Sequence, residues 1–128
     1  MRHLALLLVA AASSLTACTP KTCDPQPIPA EHQAVAQFLP ASAVVCGVDD
    51  KKKGLQLNFS ERDTTKVMHE TMLKLAKDNW SLGKTQVTDQ FLQAWKGSLY
   101  LTMNVNTHNG GPNVGRVTGQ ISVVDMKK

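Results

Sequence analysis

A chain of 128 residues with 14 Lys and Arg against 10 Asp and Glu carries a formal charge of only +4. That charge is too weak and too scattered to make the basic footprint of a nucleic-acid binder, so no nucleic-acid partner is expected. Its length and its 42% hydrophobic content suit one small folded domain.

In chain order, Arg2 and His3 precede an uncharged run from Leu4 to Ala12, and small residues then lead to Leu15-Thr16-Ala17-Cys18. A spanning helix needs about 20 apolar residues, and this run is shorter. A basic start, a short apolar core and small residues before a cut site make a secretory signal. The Leu-x-Ala-Cys ending resembles that of bacterial lipoprotein signals. The resemblance covers residues 1–19. It implies that residues 1–17 are removed, that Cys18 is lipidated, and that the protein is held to a membrane by this N-terminal lipid. Thr19 stands where many inner-membrane examples carry aspartate, which implies the outer membrane, facing the periplasm. The mature chain then has 111 residues and, without Arg2, a net charge of +3.

With Cys18 assigned to the lipid, Cys23 and Cys46 remain as an even pair in a disulfide-permissive compartment, and a bridge between them is expected. The alternative is two unpaired thiols, with Cys46 a small core residue. Without Cys-x-x-Cys spacing, no redox role is expected. Residues 18–31 carry four closely spaced prolines and read as an extended tether. Residues 32–128 read as a single domain.

Ala30 to Leu39 fit a short helix with Val35, Phe38 and Leu39 on one face and Pro40 as its stop. A hairpin follows, with Val44, Cys46 and Val48 facing inward, a turn from Asp49 to Gly54, and Leu55, Leu57 and Phe59 facing inward again. Lys51-Lys52-Lys53 lies in that turn and reads as a solvated run. Ser60 reads as an N-cap with Glu61 and Asp63 in the first turn of a helix ending near Asn79. Met68, Met72, Leu75 and Ala76 form its apolar stripe, and Glu70 and Lys74 its i,i+4 pair. Trp80, Leu82 and Val87 suggest an irregular strand, with Trp80 closing the core. Leu99, Leu101, Met103 and Val105 alternate strictly, and Thr107 to Asn113 form a turn. Val117, Gly119, Ile121 and Val123 make the closing strand. The fold class is therefore α+β: an antiparallel sheet in the order β-β-α-β-β-β, with one main helix packed on one face and a short helix in front.

No catalytic constellation emerges, and an enzyme is not expected. His69-Glu70-Thr71-Met72-Leu73 begins like a zinc-protease helix, but Leu73 stands where the second histidine must be. His32, His69 and His108 fall in separate elements, so neither a metal site nor a cofactor is expected. No serine sits in Gly-x-Ser-x-Gly, and Gly110-Gly111 lacks the lysine of a phosphate loop.

Inverting the strand alternation gives the outward residues: Gln56 and Asn58, then Tyr100, Thr102 and Asn104, then Thr118, Gln120 and Ser122. Such a face is polar and almost uncharged, and it would serve as a recognition surface with Tyr100 as its anchor. Trp95, at a turn before a strand, is expected to cap the end of the core. Together these features suggest a small envelope-anchored lipoprotein that acts by contact with an envelope protein, as an accessory or assembly component. A periplasmic inhibitor or immunity-type lipoprotein neutralising a toxin or wall-degrading enzyme is the first alternative. A glycan or small-ligand binding module is the second.

Overall fold

A computed structural model describes residues 23–49, 54–83, 88–111 and 114–127. The signal segment, Cys18, the start of the tether, Lys51-Lys52-Lys53, Val87 and Pro112-Asn113 lie outside the described residues. The six strands are β1 (Ala43–Val48), β2 (Gly54–Phe59), β3 (Ser81–Leu82), β4 (Phe91–Lys96), β5 (Leu99–Thr107) and β6 (Val117–Asp125). They form one sheet in the order β1-β2-β6-β5-β4-β3, with every neighbouring pair antiparallel. Helix α1 (Gln33–Ala36) follows a 3-10 turn at Ala30–His32, and the main helix α2 (Thr64–Lys77) carries the chain from β2 across to the far edge at β3. The class is the α+β arrangement expected, one helix over one face of an antiparallel sheet.

Strict alternation builds the core. Leu55, Leu57 and Phe59 of β2, Leu101, Met103 and Val105 of β5, and Val117 and Ile121 of β6 are all buried on the helix side. Phe38 meets Trp80 edge-on at 5.5 Å between ring centroids, so both aromatics close the core beneath the helices. Burying each large apolar side chain contributes about 1.5–3 kcal/mol. Among the described residues, no helix is long and apolar enough to cross a membrane.

Several local expectations are corrected. Helix α2 is capped by Asp63, whose side chain accepts from Thr65 N at 2.9 Å, and not by Ser60. Ser60 instead extends the hairpin ladder, its N–H donating to Ser42 O at 3.0 Å, because the chain needs Ser60 to Arg62 to climb from the sheet to the helix layer. The buried stripe of α2 is Val67, Met68, Thr71 and Leu75; Met72 is half-buried and Ala76 is exposed. Thr71 tolerates burial because its hydroxyl donates to Val67 O. The helix ends where Asn79 takes a left-handed conformation (φ 63°), with Trp80 N donating to Leu75 O and Asn79 N to Ala76 O. That pairing is a Schellman termination.

The inward set of β1 is likewise shifted. Val45 opposes Leu57 and is the buried residue, while Val44 opposes Asn58 on the outer face. An irregularity between Val45 and Gly47 inserts Cys46 as an extra residue, and Gly47 takes φ 141°, a region that side chains rarely adopt. Val48 returns to register with Leu55 but stays exposed at the sheet edge. The sheet also gains β4, whose Leu92 and Ala94 face the core.

At the end of α2, Asp78 accepts from Trp80 Nε1 at 3.1 Å and pairs with Lys96 Nζ at 3.2 Å. The Lys96 hydrogen bond, and then that of Trp80, hold the Asp78 carboxyl below its ordinary value of 3.8. A depressed carboxylate contributes stability that is present above the unfolded pKa and lost as pH falls through the folded one. Acid unfolding below about pH 4 is therefore expected to be less steep in Asp78→Asn. Matching acid limbs for the two proteins would contradict this.

Candidate contact face

Opposite the helices, strand register brings all eight outward residues onto one face. Gln56 of β2, Gln120 of β6 and Asn104 of β5 are direct neighbours across the sheet, and Phe91 of β4 continues that row. The next row joins Val44, Asn58, Thr118 and Asn106. On the other side lies Gly54, Ser122, Thr102 and Gln93, and beyond it Val124, Tyr100, Trp95 and Ser81. Gln56 and Asn104 are exposed; Asn58, Tyr100, Thr102, Thr118, Gln120 and Ser122 are half-buried.

The face is knit by side-chain hydrogen bonds. Thr102 Oγ1 and Ser122 Oγ are 2.9 Å apart, and His108 Nε2 lies 3.1 Å from Thr118 Oγ1. Gln93 Nε2 donates to the Tyr100 hydroxyl, and the Tyr100 ring packs on Trp95 with centroids 5.4 Å apart. Trp95 does not cap the core. It lies on the outer face, 37% exposed, beside Val124 at 40%. Gln93, Trp95 and Val124 therefore join the face; Val124 continues the outward parity of Ser122, whereas β4 offers no such alternation.

Cys46, turned outward by the bulge, is bonded to Cys23 with a Cα–Cα distance of 5.5 Å. The bridge pins the tether against the edge strand, where Gln26 N donates to Val45 O at 2.8 Å. The hydrogen-bond network orients the Asn58 amide with its oxygen accepting from Cys23 N (3.1 Å) and its nitrogen donating to Leu57 O (3.2 Å). Ile28 then packs against the core, so the tether wraps the edge from the outer face to the inner one. Among the described residues, no three His, Cys, Asp or Glu converge on a point where a metal ion would be held. His69 is exposed on α2 and His32 is buried near α1.

No protein-family model, curated protein or solved structure matches the chain.

Proposed function

We propose that the chain is a lipid-anchored envelope protein that acts by binding a protein partner through the outer face of its sheet, without catalysis. The observation that carries this reading is the lateral row Val124, Tyr100 and Trp95, an apolar and aromatic strip, with Val124 and Trp95 exposed and Tyr100 half-buried, at one end of a mostly polar face. Interface centres are depleted in charge and enriched in Tyr and Trp, which bury large areas at low entropic cost.

Anchoring at Cys18 complements that placement. Four residues lie between Cys18 and the stapled Cys23, and the five steps span at most about 18 Å. Trp95 lies three strands beyond β2 and at the far end of the rows, on the order of 25 Å from Cys46 at ordinary strand spacings. The lipid thus holds one corner of the face, and the aromatic row is offered from the diagonal corner. Thr19, in place of the aspartate that many inner-membrane lipoproteins carry after the cysteine, supports the periplasmic side of the outer membrane.

Tyr100→Ala tests the reading. It removes a half-exposed ring and its contact with Trp95, an interaction worth about 0.5–1.5 kcal/mol. Partner capture in cells is expected to fall at least about tenfold, the weight of a hot-spot residue, with the fold retained in circular dichroism. Undiminished capture by a folded Tyr100→Ala protein would refute it.

A further inference from the structure

A second feature occupies the opposite end of the same face. There the face holds an open concavity of about 350 Å³, lined chiefly by Gln56, Asn58, Asn104, Asn106, Thr118 and Gln120, together with Cys46 and His108. No Asp, Glu, Lys or Arg lines it among the described residues. We propose that this concavity binds an N-acetylated, uncharged glycan strand, at a site separate from the aromatic row.

The side chains select the occupant by charge and by hydrogen-bond type. Among the described residues, no hydrogen bond holds the side chains of Gln56, Asn104 and Asn106, and all three are exposed. Each offers a carbonyl acceptor and two N–H donors, the same pair of functions that an acetamido group presents in reverse. Gln56 of β2 and Asn104 of β5 flank Gln120 of β6, about 9.6 Å apart across two strand spacings, and Asn106 follows Asn104 about 7 Å along β5. A row of that kind matches a polymer that repeats its polar groups and not a compact ligand. A charged ligand would lose hydration and find no counter-charge in the lining. An apolar small molecule would find neither enclosure nor an apolar wall.

Gln120 and Asn58 have a different part. Gln120 Nε2 reaches Asp49 Oδ2 at 3.4 Å, and Asn58 is engaged by the tether backbone at Cys23. These contacts hold the margins while the three free amides face the opening. The tether borders the concavity, so in a lipid-anchored molecule it lies at the membrane-side corner; that orientation rests on the anchor proposed above, whereas the binding chemistry does not.

The test is a ¹⁵N–¹H titration of the full chain, purified in mild detergent, with the N-acetylglucosamine hexamer, reading the side-chain NH₂ signals directly. Saturable shifts of Gln56, Asn104 and Asn106 are expected. Cellohexaose, which lacks acetamido groups, should bind at least tenfold more weakly. The double variant Asn104→Ala with Asn106→Ala should lose at least tenfold in affinity while keeping its melting temperature, since neither side chain is buried or bonded. Trp95→Ala should bind the hexamer as the parent does, which separates this site from the protein-contact row. Absence of saturable shifts, equal binding of the two sugars, or shifts confined to other residues would each overturn the proposal.

Discussion

Gly119→Ala is expected to destabilise the domain by about 3 kcal/mol, at the upper end of the usual cost of overpacking. Gly119 is the third residue of β6 and lies between Leu57 of β2 and Val105 of β5, on the helix side of the sheet. A Cβ there would fall on Asn104 O and come within 3.0 Å of Val105 Cγ1 and 3.1 Å of Phe59 Cε2. The Phe59 ring is buried directly over the glycine, so the missing side chain is the space that the ring fills. Relief by side-chain motion is not available, because the nearest obstacle is a backbone carbonyl of the neighbouring strand. The β5–β6 ladder must shift instead. A fall in melting temperature of about 15 °C follows for a domain of this size. Adding Phe59→Leu is not expected to restore it, because the carbonyl stays in place. Thermal unfolding of both variants measures this; an unchanged midpoint in Gly119→Ala would show that β6 has room the register denies.

Removal of the bridge is the second large effect. Cys23→Ser combined with Cys46→Ser is expected to cost about 3 kcal/mol, the loop-closure value for a sequence separation of 23 residues. The loss falls on the unfolded chain, which regains its freedom, and on the pairing of Gln26 with Val45 that the bridge holds at the sheet edge. Reducing the parent protein should reproduce the double variant in urea unfolding, with the midpoint moving by the same amount. A parent whose midpoint ignores reductant would contradict a stabilising bridge.

Legibility in the sequence varied from strand to strand for physical reasons. β5 was plain because its two faces differ sharply: Leu101, Met103 and Val105 inward, Thr102, Asn104 and Asn106 outward. β4 was hidden because its largest side chains, Phe91 and Trp95, point outward while the small Ala94 points in, so apolar periodicity does not mark its buried side. In β1 every residue from Ala43 to Val48 is small or apolar, and a bulge reverses the parity midway; no alternation is present to read. The cap of α2 was misassigned between two good cap residues, Ser60 and Asp63, because the length of the crossover decides between them and that length is a tertiary property. For the site, parity along β2, β5 and β6 was enough to collect the polar face. The concavity was not legible, since its lining takes in Asn106 and His108 near and beyond the end of β5 and Cys46 from across the bulge.

The most direct test of the contact face is positional photo-crosslinking in the cell that makes the protein, using the full lipidated chain. A photoreactive residue is placed at Gln93 or Thr102 on the outer face, and in parallel at Lys66 or Leu73 on the exposed side of α2. Discrete adducts to one protein from the outer positions, absent from the helix positions and lost when Trp95→Ala is added, are the predicted result. Adducts that arise equally from the helix, or none from the outer face, would contradict a protein contact made through this sheet.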